Sequence, residues 1–212
     1  MIKYLVLCTI LEGEVLMDCV IENRKIYEKA FHEYGDDTRS CLWDKPMIMR
    51  YQELKKIAEL ENCKVLDIGC GLGGLYEYLV KDCGITGLDY TGVDIVDGMV
   101  ETAKKKYSEA RFMVKDIIKE KLQETYDYVF LCGIFNIKMS TKFMEQMLTE
   151  AFSYCEKGLA FNFISDYVNF RTEDFSYHNP QEIFTFCVEK LSRKVEMHHH
   201  YEKCDVSMFV YR

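Results

Sequence analysis

The stretch Val65-Leu66-Asp67-Ile68-Gly69-Cys70-Gly71-Leu72-Gly73-Gly74-Leu75 decides the fold. It reads as an apolar strand ending on a carboxylate, then a glycine turn, then a helix opening at Gly73 or Gly74. Glycines let the backbone approach a ligand where a side chain would collide, and they tolerate the dihedrals of a sharp strand-to-helix turn. The helix start behind them presents N–H groups without intrahelical partners. Many nucleotide-binding folds share such a loop. Here it has company. A second strand ending in acid, Tyr90-Thr91-Gly92-Val93-Asp94, follows at the spacing where a carboxylate meets a ribose. A third, Arg111-Phe112-Met113-Val114-Lys115, is followed by Asp116. Three acid-terminated strands in series imply a polar, nucleoside-like ligand lying across the carboxyl ends of parallel strands.

Outward from this core, strands and helices alternate. The patterns predict strand 63–68, helix 73–82, strand 90–94, helix 97–107, strand 111–115, strand 126–132, helix 140–155 and strand 158–164. Such alternation implies βαβ units and a mostly parallel sheet covered on both faces. A helix near 180–191 precedes two strand-like stretches, about 193–201 and 205–211. The gap at Glu202 to Cys204 is too short for a crossover helix, so the pair should form an antiparallel hairpin at the sheet edge. Ahead of the core, residues 20–34 read as an amphipathic helix through Ile21, Ile26 and Ala30, broken by Gly35-Asp36-Asp37. Pro46 suits the first turn of a second helix through Met47, Tyr51, Leu54, Ile57 and Ala58.

Residues 65–136 resemble the class I S-adenosylmethionine-dependent methyltransferases, and the pattern extends in outline over about residues 26–212. The resemblance implies an α/β, Rossmann-like, doubly wound seven-stranded sheet, mostly parallel with an antiparallel C-terminal hairpin. It implies one domain over 1–212: an N-terminal helical cap over 1–61, a cofactor-binding core over 62–164, and a substrate-side segment with the terminal hairpin over 165–212. S-adenosyl-L-methionine would be the cofactor. By resemblance, Asp67 orients the loop and holds the methionyl end with Gly69, Cys70 and Gly71. Asp94 takes both ribose hydroxyls, since a carboxylate offers two acceptor oxygens with charge assistance. Ile95 and Met99 pack on adenine, Asp116 accepts from its exocyclic amine, and Ile117 covers the base edge. Cys132 and Gly133 contribute carbonyls to the cofactor amine, and Asn136 faces the acceptor as the candidate catalytic residue. Trp43, Asn162 and Tyr177, with Arg50 and Tyr167, are candidates for the acceptor pocket. Each has a plainer reading beside it: turn acid, helix cap, or ordinary aromatic packing.

Composition narrows the partners. The chain has 212 residues, 49% of them hydrophobic, with two prolines, a net charge of −8 and a pI near 5.2. An acidic balance opposes polyanion binding, so a small-molecule acceptor is expected rather than nucleic acid. The strand 4 loop also lacks the Pro-Pro-aromatic motif of amino-group DNA methyltransferases, and Cys132 lacks the preceding proline of cytosine-C5 enzymes. Ten cysteines without a Cys-x-x-Cys pair suggest neither a zinc ribbon nor a disulfide framework, and point to a reducing cytoplasmic setting. His198-His199-His200 reads as a solvated strand-end cluster, because side chains alternate faces along a strand; no metal is expected. The apolar run Tyr4 to Leu11 is followed at once by Glu12 and Glu14 and is too short to cross a bilayer. It reads as a short segment ahead of Met17, a candidate start, and no membrane partner is expected.

Two alternatives stand beside the methyltransferase. An NAD-dependent oxidoreductase could use Gly69, Gly71 and Gly74 with Asp94 on a ribose, although Asp67, Asp116 and the terminal hairpin count against it. A non-catalytic module could keep the cofactor pocket without turnover.

Overall fold

The computed structural model describes residues 19–42, 47–199 and 201–212. Residues 1–18, Trp43, Pro46 and His200 lie outside the described residues, so the expectations placed on them rest on sequence alone. Helix α1 covers residues 19–34, and α2 runs Ile48–Leu54 and tightens into a 3₁₀ turn at Lys55–Ile57. The sheet is built from β1 (Lys64–Ile68), β2 (Asp89–Asp94), β3 (Arg111–Val114), β4 (Tyr126–Leu131), β5 (Cys155–Ile164), β6 (Lys194–His198) and β7 (Asp205–Tyr211). Helices α3 (Gly74–Glu77, widened into a π turn over Tyr78–Asp82), α4 (Asp97–Lys106), α5 (Thr141–Ser153) and α6 (Pro180–Phe186) link the strands.

The strand order is β3-β2-β1-β4-β5-β7-β6. The first five strands are parallel, and β7 runs antiparallel to both β5 and β6. The expected α/β sheet with its C-terminal hairpin at one edge is therefore present. Within the hairpin β7 is inserted next to β5, and β6 forms the edge. Burial explains this. Asp205 to Val210 are all buried, as suits a strand covered on both faces, whereas Lys194, Glu196 and Met197 on β6 are exposed.

Two apolar layers cover the sheet. Leu54, Leu75, Leu79, Val100 and Ala103 from α2, α3 and α4 pack on one face with Val65, Tyr90 and Phe130. Met144, Leu148 and Phe152 of α5 and Ile183 of α6 pack on the other with Leu66, Val129, Phe161 and Phe163. Helix α1 stands apart from both and spans the carboxyl ends of the strands. Its Phe31 packs so closely on Gly98 of α4 that a Cβ there would collide, and its Asn23 Nδ2 donates to the Lys138 carbonyl at 3.3 Å. The buried stripe of α1 is Asn23 with Ala30, with Tyr27 facing the cavity, while the expected anchor Ile21 is 40% exposed. This helix faces a ligand cavity rather than the core, so apolarity alone does not mark its inner side.

Two polar bridges tie α2 to the hairpin. Arg50 donates through Nε and Nη2 to the two Asp205 oxygens at 2.5 and 2.8 Å, with both residues buried. One turn later, buried Glu53 meets His198 Nδ1 at 2.6 Å and Lys56 Nζ at 2.6 Å. Among the described residues no helix is long and apolar enough to cross a membrane.

Candidate cofactor and acceptor site

The carboxyl ends of β1, β2, β3 and β4 open into one cavity of about 400 Å³, roofed by α1 and α2. The loop after β1 forms its floor. Gly69 has φ +77, and a Cβ there would strike Ile134 Cγ2; Gly71 has φ +52, with Cys41 Sγ 3.1 Å from where a Cβ would stand. Both positions need glycine, for backbone conformation and for space. The Gly69 and Cys70 N–H groups donate to the Val93 carbonyl at 2.8 and 3.1 Å. The Gly71 N–H donates to Asp94 Oδ2 at 2.9 Å, while Val96 N–H donates to Asp94 Oδ1 at 2.9 Å. Asp94 thus holds the glycine loop and opens α4 at once, keeping further lone pairs on both oxygens for a ligand. This corrects one expectation: the hydrogen bond that orients the loop comes from Asp94, not Asp67. Burial raises the Asp94 pKa, opposed by the backbone donors of Val96, Gly71 and Ile95.

Asp67 lies on the cavity wall, 2% exposed. Its Oδ2 accepts a short hydrogen bond from Tyr90 Oη, and its Oδ1 has no partner among the described residues. Burial pushes its pKa up to about 7, with the Tyr90 hydrogen bond opposing and nearby Asp94 adding to the rise. An orphaned buried carboxylate oxygen is costly, and a cationic ligand group would satisfy it.

At the other end, Ile95, Met99, Asp116 and Ile117 line the wall. Asp116 Oδ1 accepts from Ile118 N–H at 3.1 Å and Oδ2 lies 3.3 Å from Lys119 Nζ, so this acid also shapes its own turn. Met99 packs against Leu72 and Val96. From β4, Cys132 and Gly133 reach the cavity. Burial keeps the thiols of Cys41, pushed up to about 11, Cys70 and Cys132 protonated, so they act as packing atoms. Among the described residues no cysteine is disulfide-bonded and no cluster could hold a metal ion.

The acceptor-side candidates Asn136, Asn162 and Tyr177 stand off the cavity wall. Asn136 is 1% exposed, and neither amide atom has a hydrogen-bond partner. Asn162 is fully buried; its Oδ1 accepts from Gly133 N–H at 2.8 Å, and its Nδ2 is unpartnered. Tyr177 accepts from Thr172 N–H at 3.0 Å and lies under the Arg171 guanidinium, bound within its own loop. Arg50 is committed to Asp205, although Nη1 lies 3.2 Å from Met47 Sδ beside the cavity. Trp43 lies outside the described residues. His178, which the sequence did not single out, bridges Thr141 Oγ1 and the Phe135 carbonyl at 3.1 Å each, anchoring the loop that carries Asn136. Burial lowers its pKa and keeps the ring neutral.

Sequence reading expected a cap over 1–61 but missed which of its residues face the cavity. Asn23 and Tyr27 of α1 and Met47 and Tyr51 from α2 line the cavity. The i, i+4 spacing of each pair places both residues on one helix face, a signal indistinguishable from ordinary core packing before the tertiary structure is known.

Comparison with known proteins agrees with this geometry. Residues 65–158 match the family model described as a methyltransferase domain. A protein of Mycobacterium tuberculosis carrying a provisional methyltransferase name is 28% identical over 152 residues, covering 68% of this chain and 90% of that protein. An S-adenosyl-L-methionine-dependent Diels-Alderase of Talaromyces variabilis is 36% identical over 97 residues, covering 46% of this chain and 30% of its own. The crystal structure of magnesium protoporphyrin IX methyltransferase from Synechocystis, with S-adenosylhomocysteine bound, superposes with a TM-score of 0.69 at 18% identity, covering 91% of this chain and 99% of that one. Residues 65–158 thus match a methyltransferase domain, the chain has the Rossmann-like fold of the class I S-adenosylmethionine-dependent methyltransferases, and these likenesses support S-adenosylmethionine as the cofactor. The oxidoreductase alternative is not favoured.

Proposed function

We propose that the protein transfers the methyl group of S-adenosylmethionine to a small-molecule acceptor bound beside Gly133 to Asn136. The observation that carries this reading is the convergence of four strand ends on one cavity with two acids, buried Asp67 and half-buried Asp94, on its wall. We assign the methionyl end to Asp67, Gly69, Cys70, Gly71, Cys132 and Gly133, the ribose to Asp94, and the adenine to Ile95, Met99, Asp116 and Ile117. The fit rests on the unpartnered Asp67 oxygen, which suits an ammonium, and on the glycine cradle that a Cβ would fill.

The bound cofactor supplies an already activated methyl group, so the protein contributes mainly position and exclusion of water. Asn162 fixes the Gly133 backbone, and Asn136 on the same loop, buried behind the present cavity wall, carries an amide with no hydrogen-bond partner among the described residues. We assign Asn136 to the acceptor, with Asn162 acting through the Gly133 loop and Tyr177 and Trp43 as outer walls. An uncharged or cationic metabolite suits the net charge of −8 better than a polyanion. The arrangement of cap (1–61), core (62–164) and substrate-side segment (165–212) within one domain, and a cytoplasmic setting, complete the proposal.

Incubating the protein and labelled S-adenosylmethionine with fractionated metabolite extracts tests it. Label should pass to a small molecule with stoichiometric release of S-adenosylhomocysteine. Transfer to tRNA, rRNA or DNA that survives physiological salt would overturn the acceptor class, and cofactor binding without transfer to any fraction would favour a non-catalytic module.

A further inference from the structure

Tyr51 enters the cavity from α2, and its hydroxyl stands over Gly74, where a Cβ would lie 2.6 Å from Oη. It makes no hydrogen bond to any described residue. Its electrostatic neighbours are Cys132, Cys41 and Asp67 on the cavity side and Arg50 one residue earlier in the chain. The hydroxyl therefore shares the end of the cavity bounded by Asp67 and Cys132. Burial drives its pKa well above 10, so it remains a hydrogen-bond donor at any physiological pH. The methionyl group of the cofactor is a zwitterion, and recognition needs an acceptor for its ammonium and a donor for its carboxylate. Asp67 supplies the first with its unpartnered oxygen. Around that end Asp67 and the high-pKa thiols offer the carboxylate little; Arg50 Nη1 also reaches it, 3.6 Å from where a Gly133 Cβ would stand, but that guanidinium is engaged by Asp205 through Nε and Nη2, and the tyrosine O–H adds a neutral donor from the same helix.

We propose that Tyr51 is a cofactor-binding residue whose hydroxyl donates to the methionyl carboxylate, across the cavity from Asp67. The assignment rests on the placement of the methionyl end at Asp67 and Cys132. It gives α2 a role in recognition, and the Arg50–Asp205 and Glu53–His198 bridges then set the position of a ligand-binding group.

Calorimetry on the full chain tests this with two ligands. One is S-adenosylhomocysteine; the other is its decarboxylated analogue, 5′-(3-aminopropyl)thioadenosine. Tyr51→Phe should weaken S-adenosylhomocysteine binding about 10-fold or more, as expected for loss of a hydrogen bond to a charged group. The same variant should bind the decarboxylated analogue within about twofold of wild type, which also shows that the cavity is intact. Equal losses on both ligands would make Tyr51 a packing residue, and no loss on S-adenosylhomocysteine would place the carboxylate elsewhere; either result overturns the proposal. Failure of the wild-type protein to bind S-adenosylhomocysteine would instead remove the underlying site, and the assignment with it.

Discussion

The parallel half of the sheet and the antiparallel hairpin solve different problems with the same kinds of residue. At the ends of β1, β2 and β3 the acids Asp67, Asp94 and Asp116 lie on a cavity wall, and the hydrogen-bond donors to them, the Gly71, Val96 and Ile118 backbone and Tyr90, are 2 or 23 residues away in sequence. At the start of β7 the acid Asp205 is as buried as Asp67, yet its partner Arg50 is 155 residues away in sequence. Buried carboxylates are expensive in either place. In the parallel half the cost leaves carboxylates on the wall of the cavity, whereas at the hairpin it fixes the roof helix to the sheet.

The sharpest way to break that contrast is Arg50→Met, which strands the Asp205 carboxylate. It should cost about 3–5 kcal/mol, while Arg50→Met with Asp205→Leu should recover most of the loss. Urea denaturation of the single and double variants measures this. A single variant as stable as wild type would show that the pair does not hold the roof.

Next comes Asp94→Ala, which removes acceptors for both the Gly71 loop and the ribose. S-adenosylhomocysteine affinity should fall by about 2–4 kcal/mol, or roughly 30- to 1,000-fold. Wild-type affinity by calorimetry would erase the distinction between ligand acids and structural acids.

Asp67 sharpens the comparison through pH. Its folded pKa, raised to about 7, lies above the unfolded value of 3.8, so the folded state holds the extra proton between those values. Its contribution therefore favours folding at low pH and is lost as pH rises through about 7. Binding an ammonium requires the carboxylate form, so cofactor affinity should change in the opposite sense. It should improve about tenfold from pH 6 to 8 and level off above, with proton release on binding at pH 6. Calorimetry in buffers of different ionisation enthalpy detects that release, and Asp67→Asn should flatten the profile.

The smallest effect falls on the acceptor side. Asn136→Ala should reduce methyl transfer to the true acceptor about tenfold while leaving S-adenosylmethionine affinity within a few-fold. A parallel loss of cofactor affinity would move Asn136 to the cofactor side.

Legibility in the sequence follows the same division. Gly69, Gly71 and Asp94 could be read in advance because the glycine turn and the acid-terminated strand are short local patterns whose partners lie on neighbouring strands. Asp67 was legible as a strand-end acid that lines the cavity, but its Tyr90 partner, and the fact that Asp94 rather than Asp67 grips the loop, were not. Arg50 reads as an acceptor-pocket candidate and Glu53 does not stand out at all, because nothing in their sequence neighbours announces the buried bridges to Asp205 and His198.

By itself, the sequence determined the order of strands and helices, the cofactor loop and the hairpin, because alternation, glycine turns and strand-end acids are written within windows of a few residues. Only the tertiary structure decided that β7 lies inside the sheet, that α1 and α2 roof the cavity, and that Asn136, Asn162 and Tyr177 stand behind its wall. Those outcomes depend on contacts between segments distant in the chain, whose energies come from burial and pairing that no local pattern records.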